Sequence, residues 1–222
     1  MKFFSWGNGP QAVLALDIGT EVVKALVLRI EENEGRGVII GVGRVAQKPG
    51  NMRSGAVADI NGVIESSRQA IDIATQNAQV KRIGKSIIGI AGELVRGTTT
   101  TVHYSRVDTN LEIGSSELKM IIKKVQEKAF ERIKKQLAWE TGQGNIEVKL
   151  INAAMVSVSI DGYHVQNPTN FQGKEVSMSI FNAYAPLIHL GALETIAKAL
   201  GLDLLSIAAE PYAVARSVEV ND

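Results

Sequence analysis

Ala15-Leu16-Asp17-Ile18-Gly19-Thr20, followed by Val23-Lys24, is the stretch whose reading decides the fold. The apolar run Gln11 to Leu16 ends in Asp17, and Val22 to Ile30 is a second run rich in β-branched residues. With only Ile18 to Glu21 between them, the two runs predict an antiparallel hairpin with Asp17 to Thr20 at its tip. Gly19 lets the backbone approach a ligand closely, and the N–H groups of such a turn can converge on an anion. Thr20 adds a hydroxyl and Lys24 a cation. A carboxylate at the end of a buried strand needs water, a donor or a cation, and Asp17 is placed to hold the hydration shell of magnesium. The same residues also suit a plain Asp-x-Gly hairpin turn without a ligand, and spacing alone leaves both readings open.

Outward from the tip, Val38 to Val45 continues an antiparallel meander, and Gln47 to Gly55 is a loop. Asp59 caps a helix whose apolar positions Val63, Ile64, Ala70, Ile71, Ala74 and Ala78 recur at three and four. Lys85 to Ala91 is a short strand, and Gly97 to Arg106 is β-prone with uncertain pairing. Ser115 or Ser116 caps the longest helix, with Leu118, Ile121, Ile122, Val125, Ala129, Ile133 and Leu137 on one face, until Gly142 and Gly144 stop it. Val148 to Ile160 and Val176 to Ile180 alternate as paired strands. Pro186 opens a helix through Leu200, Leu204 to Ala209 is a buried strand, and a last helix starts at Pro211. The expectation is an interleaved chain: a first part over 1–84, a strand, helix, strand, strand module over 85–183, and a return to the first part over 184–222.

Composition narrows the classes. The chain has 222 residues, 45% hydrophobic and 21% charged, which suits a folded globular protein rather than a disordered one. Twenty-four Lys and Arg against 23 Asp and Glu leave a charge of +1, so no global field draws it to nucleic acid or anionic lipid. With no cysteine there is no disulfide, thiolate metal site or thiol nucleophile, which fits a reducing, cytoplasmic setting. No apolar run reaches the ~18–20 residues of a membrane span. Phe3, Phe4 and Trp6 beside Lys2 suit either a short interfacial anchor or a packed arm.

The motif Ala15 to Thr20 with Val23-Lys24 resembles the first phosphate motif of actin-fold ATPases, which space an aspartate and a lysine as Asp17 and Lys24 are spaced. Ile39 to Gly43, Arg53-Ser54-Gly55-Ala56-Val57-Ala58-Asp59 and Arg68 to Ile71 resemble one branch, the bacterial division protein FtsA and its pilus-assembly relative PilM; Ile87 to Gly92 matches more loosely. The resemblance implies an α/β fold, an actin-like (ribonuclease H-like) subdomain 1A with an inserted subdomain 1C. Ala209-Glu210-Pro211-Tyr212-Ala213 is similar to a Glu-Pro-x-Ala segment of actin-fold chaperone ATPases. Carried over, it makes Glu210 a residue that positions water or magnesium, opposite a cofactor-binding set of Asp17, Gly19, Thr20 and Lys24. The implied cofactors are ATP and magnesium, the latter held by Asp17 through water.

The family's second phosphate hairpin, Asp-Gly-Gly, and its adenosine motif are not in this sequence, which therefore looks like an amino-terminal half. The expectation for this chain alone is weak or absent nucleotide binding, and at most feeble ATPase activity. The leading functional expectation is an FtsA-like protein acting in cell division by assembly and protein contact. Its partners would be like chains in a filament and division proteins, with no nucleic acid and only peripheral membrane contact at the inner face. The alternative is a PilM-like adaptor of type IV pilus assembly that binds a pilus-protein tail. A small-molecule kinase of the same superfamily would need an aspartate placed for a hydroxyl acceptor, and none is evident.

Weaker signals fall away. Gly41-Val42-Gly43-Arg44-Val45-Ala46 formally fits a dinucleotide pattern, but Gln47-Lys48-Pro49-Gly50 stands where the phosphate-binding helix should begin. His103, His164 and His189 stand apart, so no zinc is expected. Lys119, Lys123, Lys124, Lys128, Lys134 and Lys135 make one helix basic, which reads as a solvated face.

Overall fold

The structure, a computed structural model, describes residues 12–31, 36–142 and 146–217; Phe3, Phe4 and Trp6 lie outside the described residues. In chain order the elements are β1 (Ala12–Ile18), β2 (Val22–Glu31), β3 (Arg36–Ala46), β4 (Met52–Arg53), β5 (Ala56–Val57), α1 (Ile60–Asn77), β6 (Lys85–Ile90) and β7 (Arg96–Ser105). Then come α2 (Ser115–Thr141), β8 (Val148–Ile160), β9 (Tyr163–His164), β10 (Glu175–Pro186), α3 (Leu187–Ala199), β11 (Asp203–Ala209) and α4 (Glu210–Ser217). The described residues form two compact units: one runs up to residue 94 and resumes from residue 188, and the other spans 95–187.

The first unit is built on a five-stranded sheet in the order β11-β6-β1-β2-β3. The hairpin is antiparallel, with Leu16 opposite Ala25 and Asp17 opposite Lys24, and β3 continues the meander on β2. β6 and β11 add in parallel on the other side of β1. Cross-strand partners share a face, so Leu16, Ala25 and Gly43 line one side and Ala15, Leu26 and Val42 the other. The first side is buried under α1, whose Val63, Ala70 and Ala74 are fully covered. Asp59 caps that helix, its carboxylate accepting from the Asn61 N–H at 3.0 Å.

Gly41 and Gly43 seat α1. A Cβ at Gly43 would overlap the Ala70 carbonyl oxygen, and one at Gly41 would overlap that of Ala74. The glycine pair thus lets a helix backbone lie directly on β3, which is the physical reason for a pattern that imitates a dinucleotide turn.

The second unit is a four-stranded sheet, β7-β10-β8-β9, with α2 across one face. Ile121, Val125, Ala129, Ile133 and Leu137 of α2 are all buried, as their periodicity predicts. Val176 to Ile180 does pair with β8, and the stretch of uncertain pairing, Gly97 to Arg106, supplies β7 on the other side of β10.

The boundaries differ from the expected 85–183. Lys85–Ile90 pairs with β1 and β11, so it is a central strand of the first sheet, and the second unit starts at β7. A central strand covered on both sides reads as a continuous apolar run, which in sequence looks like the opening of either unit. Smaller shifts are local. Gly114, not a serine, stands at the α2 N-terminus, and Gly142 ends that helix at φ +67°. Pro186 closes β10 and α3 starts one residue later, whereas α4 starts at Glu210 with Pro211 inside its first turn. Among the described residues, no helix is long and apolar enough to cross a membrane.

Candidate functional site

β1, β6 and β11 run parallel, so their carboxyl ends lie along one edge of the first unit's sheet. Asp17 stands near the end of β1, and its Oδ2 accepts from Lys24 Nζ at 2.8 Å, across the hairpin. Both side chains remain partly exposed. The turn beyond them is tight. A Cβ on Gly19 would lie 2.7 Å from the Val22 carbonyl oxygen, so only glycine leaves this turn undisturbed. The Thr20 hydroxyl accepts from the Gly55 N–H at 3.2 Å, which ties the turn to the β4–β5 hairpin.

Glu210 begins α4 straight after β11 and lies over the end of β6. A Cβ on Gly89 would meet its Cγ at 3.6 Å and the Leu16 carbonyl oxygen at 3.9 Å. Asp17, Lys24 and Glu210 therefore line one groove of about 640 Å³ on the sheet face opposite α1, with Ala15, Leu26, Val42, Ile87 and Ala208 as its apolar floor and Arg44 on its border. Gly19 and Thr20 belong to the turn beyond it. Sequence reasoning missed Glu93, which sits in the short helical turn after β6 and whose charge reaches Glu210. The available signal was topological: a third parallel strand must deliver its following residues to the same edge as Asp17. Gly92 allows the packing, since a Cβ there would lie 2.9 Å from Cγ of Pro211.

Burial raises the Glu210 carboxyl above its ordinary range, the negative charges of Asp17 and Glu93 raise it further, and Lys24 partly offsets them. Glu210 therefore binds its proton more tightly folded than unfolded. Its contribution to stability is complete below the unfolded value and is lost as pH rises through the folded one. Glu210→Gln should accordingly raise the urea midpoint of the first unit at neutral pH and leave it unchanged at a pH below the carboxylate range. An equal gain at both pH values would assign the effect to something other than titration.

Among the described residues, no group of three or more His, Asp or Glu is placed to hold a metal ion directly. His103 faces Glu175 at 3.5 Å, and burial lowers the His189 imidazole below its ordinary value.

No family model matches the sequence, and no curated protein does. Solved structures do. A chain of the PilM-PilN type IV pilus biogenesis complex matches with a TM-score of 0.55 at 15% identity, covering 90% of this chain and 48% of that one. The chain has the actin-like α/β fold. A diol dehydratase-reactivating factor in nucleotide-free form (TM-score 0.36, 9% identity) and the cytoplasmic domain of EpsL from the type II secretion system of Vibrio cholerae (TM-score 0.34, 11% identity) match more loosely. Each covers 89% of this chain, which spans 64% of the former and 55% of the latter. The chain thus spans about half the length of the PilM-PilN chain it matches. Within this actin-like sheet, the carboxyl ends of β1, β6 and β11 gather Asp17, Glu93 and Glu210 along one edge.

Proposed function

We propose that this chain is a PilM-like assembly adaptor of a type IV pilus system, working at the cytoplasmic face of the inner membrane and holding the tail of a pilus protein. The supporting observation is the likeness to a chain of the PilM-PilN complex over 90% of the sequence. It puts the pilus reading ahead of the division reading, which rests on motif resemblance to FtsA alone. On this proposal the first unit corresponds to subdomain 1A and the second to subdomain 1C.

The edge built from Asp17, Gly19, Thr20, Lys24 and Glu210 is the proposed contact for ATP and magnesium. The residues present suit such a ligand. Asp17 and Glu93 already raise the Glu210 carboxyl, an excess of negative charge that a hydrated cation would relieve. Gly19 keeps side chains off the turn where phosphate oxygens would approach. When bound, the nucleotide would supply charge and rigidity for assembly, with at most slow hydrolysis. Asp17 would hold magnesium through water, Lys24 would neutralise phosphate, and Glu210 would orient water.

The test is fluorescence anisotropy with the labelled cytoplasmic tail of the PilN-type protein from the same genome. Saturable binding of that tail, with none of a division-protein peptide, is the expected result. Capture of the division peptide alone would restore the FtsA reading. Calorimetry with ATP and magnesium on the complete protein keeps the cofactor separate: Asp17→Ala should weaken nucleotide binding and leave tail binding unchanged.

A further inference from the structure

At the end of the second unit's sheet opposite Arg96 and Tyr184, two loops are bound into one rigid body. Arg106 follows β7 directly with its side chain buried, donating to both carboxylate oxygens of Glu117 at 2.9 and 3.0 Å. It also donates to the carbonyls of Gly173 at 3.0 Å and Leu111 at 2.9 Å, so one guanidinium holds both loops and the first turn of α2. Backbone bonds repeat the link: the Ile113 N–H donates to Phe171 O at 2.8 Å, and the Asn170 N–H to Ile113 O at 3.1 Å. Loops fixed in this way nevertheless hold large apolar side chains out in water. Val107 is 99% exposed, Leu111 62% and Phe171 48%. A fixed apolar display of this kind is what a preorganised docking surface requires.

The charges around this tip select the partner. Asp108, Glu112, Asp161 and Glu175 are exposed against Lys174. Anionic lipid would be repelled. A second copy meeting this tip with its own tip would set like charge against like, and Lys123, Lys124, Lys128 and Lys134 of α2 are engaged with Glu127, the Tyr104 ring, the Thr101 carbonyl and the Phe130 ring. We propose that the tip formed by Val107, Leu111 and Phe171, with Asp108 and Glu112 beside them, docks a basic, amphipathic segment of another protein. The tip belongs to the second unit, whereas the residues proposed to contact nucleotide belong to the first, and the inference does not rest on the function proposed above.

Because the chain has no cysteine, Thr109→Cys gives a single labelling position on the tip for an environment-sensitive dye. The probes are an amphipathic peptide of leucine and lysine and its leucine and glutamate counterpart. The lysine peptide should bind in a saturable and salt-sensitive way, and the glutamate peptide should not. Leu111→Ser with Phe171→Ser should weaken binding at least about tenfold, as should Asp108→Asn with Glu112→Gln, the scale expected when anchoring contacts are removed. All four positions are exposed, and unchanged thermal unfolding checks that the fold survives. Equal binding of both peptides, or binding indifferent to the paired variants, would overturn the proposal. So would sedimentation showing self-association that the Leu111 and Phe171 variants abolish, since the tip's occupant would then be a second copy.

Discussion

Arg106→Met should unfold the second unit at a much lower urea concentration, with a loss of about 3 kcal/mol, the low end for breaking a buried ion pair because Glu117 keeps some contact with water. The substitution keeps an unbranched chain of similar length and removes every donor. The Glu117 carboxylate and the carbonyls of Gly173 and Leu111 then lose the donors that Arg106 supplied. Glu117→Leu added to Arg106→Met should recover part of the loss, because it removes the stranded charge. Arg29→Met is the control. Its partner Glu31 is 3.4 Å away and Arg29 is 47% exposed, so breaking that pair should cost less than about 1 kcal/mol. Chemical denaturation of all four proteins decides the matter, and a loss no greater for Arg106→Met than for Arg29→Met would show that the buried pair does not hold the loops.

Gly43→Ala is the second large effect. One methyl group at this position would occupy the space of the Ala70 carbonyl oxygen and come within 2.8 Å of the Ala74 nitrogen. Backbone atoms in the middle of a helix cannot swing aside as a flexible side chain does. The helix must lift from β3, and overpacking of this kind costs about 3 kcal/mol. Gly84→Ala is the matched control: nothing lies within 4 Å of its Cβ position, so its effect should stay within about 0.5 kcal/mol. Similar losses for both variants would mean that helix and strand do not touch at Gly43.

The elements that were legible in the sequence are those set by local chemistry. Asp59 capped its helix, the apolar period of α2 gave the buried face, and the alternation of β8 and β10 gave their pairing. What stayed illegible was set by distant partners. Lys85–Ile90 suits the opening of either unit by its residues alone, and only its parallel registers with β1 and β11 decide the matter. The glycine pair of β3 imitated a nucleotide motif because an approaching helix and an approaching phosphate both exclude a Cβ. At the site, Asp17 and Lys24 were readable as hairpin neighbours. Glu93 was not, because its relation to Glu210 depends on strand order rather than on spacing.

Ser86 of β6 and Asp203 of β11 lie 117 positions apart, and the Ser86 hydroxyl donates to the Asp203 carbonyl. A ribosome therefore makes the whole second unit before it makes β11, the strand that pairs with the free edge of β6. The intervening unit has its own strands and helix and can fold while it waits, whereas β6 spends that time with one edge unpaired. The birth of this protein thus has a vulnerable interval, ending only when β11 emerges, in which the newborn chain is most open to misassembly with its neighbours.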